Sequence, residues 1–222
     1  MTKDIHTHIS NIIFDLDGTL LNTLDDLTAS TNYALQACGY PQRTTEEVRQ
    51  MVGNGVGKLI ARAVPQSTDS SATEQCLAIF RSHYTKHCLD RTLPYPGIMT
   101  MLSELKRQGL GLAIVSNKLQ PAVTELNHKF FASYIDIAVG ETALLRRKPA
   151  PDMLLEAMDQ LHATADNTIF VGDSDVDIQT ARAAQLPCIS VTWGFRAPDN
   201  LRANGATTLI DTPQQLCRLL TI

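Results

Sequence analysis

The chain has 222 residues, a hydrophobic fraction of 44% and a formal net charge of −4 at pH 7. This many apolar residues can build a real core, which excludes a disordered chain, a collagen-like repeat and a small disulfide scaffold. At about 150 residues per domain, the length predicts one large domain or one domain with an insert. The slightly acidic balance provides no global field for nucleic acid or an anionic membrane, so we expect neither as a partner.

Cysteine usage indicates a reducing compartment. The five cysteines are an odd number, and none stands in a C-x-x-C pair. The N-terminus shows no apolar segment of a secretory signal, and no apolar run approaches the roughly 18 residues that span a bilayer. We therefore expect a cytoplasmic protein. The sequence does not indicate the oligomeric state.

The first predicted element is a strand, Asn11–Asp15, which ends in the turn sequence Asp-Leu-Asp-Gly. A continuous apolar run of this kind is typical of a parallel strand that is covered on both faces. After it, the pattern predicts helices alone, at 24–38, 44–52, 56–64 and 71–90. Asp25 and Asp26 lie in the first turn of the first helix, where we expect them to act as favourable charges at the helix N-terminus.

From residue 97 onward, predicted helices and strands alternate. The helices are expected at 97–108, 120–131, 151–161, 175–184 and 213–220, and the strands at 110–115, 134–139, 168–171, 188–191 and 207–210. Such alternation is typical of βαβ units, which form a parallel sheet with helices on both faces. The sequence thus predicts a Rossmann-like α/β domain of residues 1–20 and 94–222, with an all-helical domain of residues 21–93 inserted after the first strand.

Polar side chains follow four of the predicted strands, and the carboxyl ends of parallel strands are where open sheets bind ligands. One Asp or Ser at such a place is most simply a helix cap, whereas four polar ends of compatible chemistry indicate a site. The residues are Asp15 and Asp17 after the first strand, Ser116, Asn117 and Lys118 after the second, Lys148 in the loop after the third, and Asp173, Asp175 and Asp177 after the fourth.

Three of these carboxylates, on Asp15, Asp17 and Asp173, are expected to share one cleft. They would repel one another unless a hard cation neutralised them, and a set of oxygen ligands suits Mg²⁺. Lys148 adds a fixed positive charge and Ser116 a hydroxyl donor. A carboxylate nucleophile, Mg²⁺, a lysine and a hydroxyl are the groups that transfer of a phosphoryl group requires.

The segment Asp-Leu-Asp-Gly-Thr-Leu-Leu-Asn-Thr at 15–23 resembles the first motif of the haloacid dehalogenase-like hydrolases. The pairs Ser116–Asn117 and Lys148–Pro149 and the segment 172–177 resemble the second, third and fourth motifs, in the same order. The resemblance covers the whole chain. It implies that the inserted helical domain is the cap domain of this family.

Within the family, the segments 52–60 and 192–196 are most similar to the phosphoglycolate phosphatases. This similarity implies a Mg²⁺-dependent phosphatase that acts on a small phosphorylated metabolite, with 2-phosphoglycolate as the best candidate, through an aspartyl-phosphate intermediate. Lys58, beside the glycine-rich turn 53–57, is the expected contact for the carboxylate of such a substrate, and Arg62 is the reserve candidate.

The resemblance also implies a role for each motif residue. Asp15 is the expected nucleophile, and Asp17 is the expected acid for the leaving alcohol and then the base for water. The expected metal ligands are Asp15, Asp173 and the backbone carbonyl of Asp17. The expected phosphoryl and substrate contacts are Ser116, Asn117, Gly18 and Thr19, and Thr19 is also expected to help orient the two aspartates. Lys148 is expected to stabilise the charge of transfer, and Asp177 to support the metal ligands or orient the lysine.

Two alternatives stay open at this point. A sugar-phosphate mutase similar to β-phosphoglucomutase would share Asp15, Asp17 and the cap, but it would return the phosphoryl group to the sugar. A signalling module that accepts phosphate also uses clustered aspartates, Mg²⁺ and a lysine. Such a module carries its acceptor Asp after the third strand, where this chain has Val139-Gly-Glu141, and it has no helical insert.

Overall fold

The computed structural model describes residues 9–220, and its largest element is a parallel sheet of six strands. In chain order the strands are β1 (Asn11–Phe14), β2 (Leu21–Asn22), β3 (Leu93–Pro94), β4 (Gly111–Leu119), β5 (Ile137–Glu141), β6 (Thr168–Gly172), β7 (Cys188–Val191) and β8 (Thr208–Ile210). The large sheet has the order β5-β4-β1-β6-β7-β8, and β2 pairs with β3 in a separate small sheet. The prediction of an α/β fold with a parallel sheet is confirmed.

Helices connect the strands of the large sheet and also fill the segment between β2 and β3. They are α1 (Leu24–Ala37), α2 (Thr45–Met51), α3 (Val56–Ala63), α4 (Ser70–His87), α5 (Ile98–Arg107), α6 (Gln120–Phe130), α7 (Asp152–Gln160), α8 (Asp175–Ala183), α9 (Pro198–Ala203) and α10 (Pro213–Leu220). Across residues 9–220, none of these helices combines the length and the apolar character that crossing a membrane requires.

Strand β1 lies in the middle of the large sheet, between β4 and β6. Asn11 is in register with Gly111 on one side and with Thr168 on the other. All four residues of β1 are buried, as the apolar run predicts for a strand covered on both faces. The position of β1 places the residue that follows it, Asp15, between the ends of two neighbouring strands.

The core beneath the sheet is built from the central strands and the helices that cover them. Ile13, Val115 and Phe170 of the three central strands belong to one buried cluster with Met153 and Leu154 of α7. Each of these side chains is fully buried, and burial of one such side chain contributes about 1.5–3 kcal/mol of hydrophobic stabilisation. This packing gives the strand ends a rigid support.

Two strands differ from the prediction at the end where the site lies. β4 continues to Leu119, beyond the predicted end at Val115, and its register with β5 shifts between these two residues. β5 begins at Ile137, because the chain after α6 first forms a turn in which the N–H groups of Tyr134 and Ile135 both donate to the carbonyl of Phe131. The extension of β4 brings Ser116, Asn117 and Lys118 into the strand.

The described chain forms two compact units, one of Leu21–Leu93 and one of the residues before and after that segment. The Leu21–Leu93 unit contains helices α1 to α4, and α1 packs against α4. Its buried apolar side chains include Leu27, Val48, Ile60 and Phe80. The unit thus has a core of its own.

Asp26 lies in the first turn of α1, as expected, and it also has a second role in this helical unit. Asp25 is exposed, as expected for a charge in the first turn of a helix, but Asp26 is only 2% exposed. The carboxylate of Asp26 accepts hydrogen bonds from the backbone N–H groups of Arg91 and Thr92 at 3.0 and 2.9 Å, and from the Thr92 hydroxyl at 2.8 Å. Asp26 therefore ties the end of the unit back to its first helix.

We expect Asp26→Ala to lower the free energy of unfolding by about 2–3 kcal/mol, because three donors lose their buried acceptor. Urea denaturation followed by far-UV circular dichroism measures this change, since the unit is helical. The matched control is Asp25→Ala, which removes an exposed carboxylate from the same turn and should cost much less. Equal losses in the two variants would contradict the anchoring role of Asp26.

Candidate active site

Asp15 follows β1 directly and is almost fully buried, with 6% of its surface exposed. Its backbone N–H donates to the carbonyl of Val171 at 2.8 Å, so the pairing of β1 with β6 fixes the backbone at this residue. Its carboxylate Oδ1 accepts a hydrogen bond from Lys148 Nζ at 2.6 Å. The structure thus brings together the predicted nucleophile and the predicted catalytic lysine.

The ammonium group of Lys148 lies between two carboxylates. Nζ also donates to Asp177 Oδ1 at 2.7 Å, and the lysine is only 3% exposed. Burial by itself lowers the pKa of Lys148, but the charges of Asp15 and Asp177 outweigh burial and raise the pKa above its ordinary value. Lys148 therefore keeps its positive charge at neutral pH.

Asn117 fixes the backbone on which Lys148 stands. Its side-chain Nδ2 donates to the Lys148 carbonyl at 3.1 Å, and the Lys148 N–H donates to Asn117 Oδ1 at 2.8 Å. This pair of hydrogen bonds links the end of β4 to the loop after β5. The side chain of Asn117 thus serves the lysine loop, a role that sequence reasoning missed.

Asp15, Asp173 and Asp177 form a cluster in which one carboxylate oxygen from each residue lies within 4.8 Å of the others. Burial, together with the charges of Asp177 and Asp173, raises the pKa of Asp15 well above its ordinary value, against the opposing effect of Lys148. Burial and the charge of Asp177 raise the pKa of Asp173 to about 7. Closely spaced carboxylate oxygens are the donor set of a hard divalent cation, so these residues fit Mg²⁺.

This cluster differs from the predicted set of Asp15, Asp17 and Asp173, because it contains the side chain of Asp177 and lacks that of Asp17. The Asp177 carboxylate accepts from Lys148 Nζ and also from the N–H and hydroxyl of Ser174, at 3.1 and 2.6 Å. Asp177 is therefore already held by the lysine and by the cap of α8. Asp15 and Asp173 remain the two side chains best placed to hold a cation.

The side chain of Asp17 pairs with a second lysine, Lys118. Lys118 Nζ lies 3.1 Å from Asp17 Oδ1, and Lys118 is 6% exposed. Sequence reasoning placed Lys118 at a strand end but gave it no role. The signal that could have found it is a second lysine among the polar strand ends, because each of two lysines can pair with a different aspartate.

The segment after β7 packs on Asp173 and on the turn after β1. The N–H of Phe195 donates to Asp173 Oδ2 at 2.6 Å, and Trp193 Nε1 donates to the Thr19 carbonyl at 3.0 Å. Gly18 has a φ of +85°, and a Cβ atom at Gly18 or at Gly194 would overlap Asp173. Glycine is thus required at both positions by the close approach of the backbone to this carboxylate.

Ser116 and Thr19, the two predicted hydroxyl groups of the site, are each 1% exposed. Ser116 Oγ accepts from the N–H of Lys118 at 3.3 Å. Among the residues that the structure describes, the Thr19 hydroxyl has no hydrogen-bond partner, so its expected role in orienting the aspartates has no contact to support it. The expected contacts of both hydroxyls with a substrate stay predictions.

Lys58 and Arg62 belong to the Leu21–Leu93 unit. Lys58 is exposed and lies in the first turn of α3, directly after the glycine-rich turn, in which Gly53 and Gly55 have φ values of 118° and 80°. Arg62 Nη1 donates to the Met51 carbonyl and Nη2 to Asn54 Oδ1, both at 2.7 Å. Arg62 therefore holds this turn in place, which leaves Lys58 as the better candidate for an external anion.

We expect Lys148→Met to lower the free energy of unfolding by about 3–5 kcal/mol, because it leaves Asp15 and Asp177 as buried carboxylates without a cation. Urea denaturation without added metal measures this change. The matched control is Lys106→Met, because Lys106 pairs with Asp136 at 3.3 Å on the surface and its loss should cost little. A similar small loss in both variants would show that the buried lysine is not needed to hold the carboxylates.

The chain is similar in sequence to several phosphatases. The chain is 33% identical over 206 residues to the phosphoglycolate phosphatase of Pseudomonas putida, covering 90% of this chain and 75% of that protein. It is 32% identical over 214 residues to the N-acetylmuramic acid 6-phosphate phosphatase of Pseudomonas aeruginosa, covering 94% and 93%. A crystal structure from Lactobacillus delbrueckii subsp. bulgaricus, provisionally named phosphoglycolate phosphatase, superposes with a TM-score of 0.93 at 34% identity, covering 97% of this chain and 100% of that one.

The family model described as haloacid dehalogenase-like hydrolase matches residues 12–191. The match begins within β1, one residue after its start, and ends with β7, so it takes in all four of the motifs recognised in the sequence. The resemblance inferred from these motifs is confirmed. The chain therefore belongs to the haloacid dehalogenase-like hydrolases.

Proposed function

We propose that this hydrolase is a Mg²⁺-dependent phosphatase that acts on a small phosphorylated metabolite, with 2-phosphoglycolate as the first candidate substrate. The family and the phosphatases among the relatives make the chain a phosphoric monoester hydrolase. The observation that carries the mechanism is the buried Asp15, which is paired with Lys148 at 2.6 Å and lies within 4.8 Å of two more carboxylates.

Asp15 is the proposed nucleophile. Its carboxylate attacks the phosphorus atom and forms an aspartyl-phosphate, and the bond from phosphorus to the substrate oxygen breaks. An anionic carboxylate that approaches an anionic phosphoryl group needs a nearby positive charge. The buried ammonium group of Lys148, held by both Asp15 and Asp177, supplies that charge at a fixed place.

The proposed metal site is formed by the side chains of Asp15 and Asp173 and the backbone carbonyl of Asp17. When bound there, Mg²⁺ supplies charge neutralisation for the phosphoryl oxygens. The Phe195 N–H holds Asp173 in its orientation, and Lys148 limits the rotation of Asp15. The oxygen-only donor set and the burial of these carboxylates support this assignment.

Asp17 is the proposed acid and base. It donates a proton to the substrate oxygen as the bond to phosphorus breaks, and it later takes a proton from the water that attacks the aspartyl-phosphate. A carboxylate at this position favours a phosphatase over relatives whose phosphorylated intermediate persists. Ser116 and the N–H of Asn117, at the end of β4, are the proposed contacts of the phosphoryl oxygens, with Gly18 and Thr19 beside the nucleophile.

The substrate is the finer part of the proposal. We assign the Leu21–Leu93 unit as the cap domain that recognises the substrate beyond its phosphoryl group, and Lys58 as the contact for a substrate carboxylate. Relatives of similar identity are named for phosphoglycolate and for N-acetylmuramic acid 6-phosphate, and both compounds carry a carboxylate. The odd number of cysteines supports a cytoplasmic location.

We expect the wild-type protein to release inorganic phosphate from 2-phosphoglycolate with Mg²⁺ and to stop when EDTA is added. Asp15→Asn should retain less than about a hundredth of the wild-type kcat, because an amide does not attack phosphorus. Release of inorganic phosphate measures the activity of the wild type, the effect of EDTA and the loss in Asp15→Asn. The same assay, applied to about a hundred phosphorylated metabolites that include N-acetylmuramic acid 6-phosphate and sugar phosphates, identifies the preferred substrate.

Four results would contradict this proposal in different ways. Substantial turnover by Asp15→Asn would remove Asp15 from the nucleophile role. Full activity in EDTA would show that the reaction needs no metal ion. Transfer of the phosphoryl group between sugar positions with no release of inorganic phosphate would indicate the mutase, and a stable phosphoprotein without turnover would indicate a signalling module.

Lys58→Ala should lower kcat/KM for 2-phosphoglycolate by about 10-fold or more, because a charge-assisted contact to the carboxylate is lost. It should leave p-nitrophenyl phosphate, which has no carboxylate, nearly unaffected. The matched control is Lys86→Ala, which removes another exposed lysine from the same helical unit and should change neither substrate. Parallel losses on both substrates, or none, would refute the role of Lys58 and leave the phosphatase assignment intact.

A further inference from the structure

We propose that Lys118 is a positioning residue of the reaction, which holds the carboxylate of Asp17 where it can reach the substrate oxygen. This inference rests on the proposed function, in which Asp17 moves the protons. The observation behind it is the ion pair of 3.1 Å between Lys118 Nζ and Asp17 Oδ1.

The ion pair between Lys118 and Asp17 is largely buried. The side chain of Lys118 is 5% exposed and that of Asp17 is 17% exposed. Burying an ammonium group without a counter-charge costs free energy, so Lys118 stays paired with a carboxylate. Water has little access to Lys118 and only partial access to Asp17, so the attraction is screened less than on the protein surface.

The backbone beneath Lys118 is also rigid. Strand β4 continues through Lys118 to Leu119, and the Lys118 N–H donates to Ser116 Oγ at 3.3 Å. Asp17, in contrast, lies in the turn after β1, next to Gly18, whose φ is +85°. A carboxylate on a turn has several staggered side-chain rotamers, and a partner anchored on a strand selects one of them.

The two lysines of the site serve different aspartates. Lys148 contacts Asp15 and Asp177 at 2.6 and 2.7 Å, and Lys118 contacts Asp17. Asp15 and Asp17 are two residues apart and would otherwise compete for one cation. Separate counter-charges leave the nucleophile and the proton-transfer group with orientations that are set independently.

Lys118 forms and breaks no bond in the reaction. When Asp15 attacks phosphorus, the bond to the substrate oxygen breaks and the proton of Asp17 passes to that oxygen. Water then attacks the aspartyl-phosphate, its proton passes to Asp17, and inorganic phosphate and the Asp15 carboxylate are released. Lys118 contributes the geometry of both proton transfers, and misplacement of a catalytic group by about 1 Å can cost about 10²-fold in rate.

A double-mutant cycle tests this inference. The variants are Lys118→Met, which keeps the length and removes the charge, Asp17→Asn, and the two combined. Lys118→Arg is the conservative variant, and Lys106→Met is the matched control, because it removes a lysine from another ion pair with an aspartate, in this case on the surface. Each variant is assayed at high enzyme concentration with Mg²⁺, on 2-phosphoglycolate or the best alkyl phosphate of the screen and on p-nitrophenyl phosphate, and its Tm is measured.

Lys118→Met should lower kcat on the alkyl phosphate by about 10- to 100-fold with little change in KM, because Asp17 loses its position. The loss should be smaller on p-nitrophenyl phosphate, whose leaving group needs less help from an acid. In the Asp17→Asn background the same substitution should cost less than about 2-fold, because the group it positions is already lost. Lys118→Arg should recover most of the activity, and Lys106→Met should behave as wild type.

Three outcomes would overturn the inference. Equal losses from Lys118→Met with and without the Asp17 carboxylate would show that Lys118 acts on its own. A raised KM with unchanged kcat would indicate that Lys118 binds the substrate and does not position Asp17. A fall in Tm that accounts for the activity loss, without recovery in Lys118→Arg, would make it a structural residue. In each case wild-type turnover still supports the phosphatase, whereas a wild-type protein that releases phosphate from no phosphomonoester would refute both proposals.

Discussion

The ion pair between Asp15 and Lys148 is the interaction on which the site depends. Three carboxylates are buried together at one edge of the sheet, and carboxylates so close do not all remain charged without positive charge nearby. Lys148 pairs with two of them, Asp15 and Asp177, and their charges in turn stabilise its own. Burial raises the pKa of both Asp15 and Asp173, and a divalent cation beside them would favour their charged forms. The ion pair therefore sets the charge of the site.

The parallel sheet explains why these groups meet. In a parallel sheet all carboxyl ends lie at one edge, and the strand in the middle has a neighbour on each side. β1 is that strand, so Asp15 stands between the end of β4, which carries Ser116 to Lys118, and the end of β6, which leads to Asp173. The burial of β1 on both faces keeps this arrangement rigid. Lys148 itself lies in a loop and not on a strand. Its position therefore depends on the two hydrogen bonds between the side chain of Asn117, on β4, and the backbone of Lys148.

Three charged side chains outside the predicted motifs contact turns or ends of chain segments. In the helical unit, Asp26 accepts three hydrogen bonds from Arg91 and Thr92, and Arg62 holds the glycine-rich turn through Met51 and Asn54. Both side chains use full charges on backbone or amide groups, which are stronger partners than neutral ones. In the other unit, Lys118 pairs with the carboxylate of Asp17 in the turn after β1. In these three places a charged side chain contacts a turn or the end of a segment, whereas the strands and helices are supported by apolar packing.

The sequence by itself determined the fold class, the order of most elements and the identity of the central residues. The apolar run before Asp15 and the alternation after residue 97 depend on local pattern, which each segment carries within itself. The partners of charged groups were decided by tertiary structure alone. Lys148 and Asp15 are 133 residues apart in the chain, and Asn117 and Lys148 are 31 apart, so their distances depend on how the strands are ordered in the sheet. For the same reason the sequence placed Lys118 at the correct edge but did not show that it faces Asp17. It also placed Asp26 correctly in the first turn of a helix, but it did not show that the carboxylate is buried against Arg91 and Thr92.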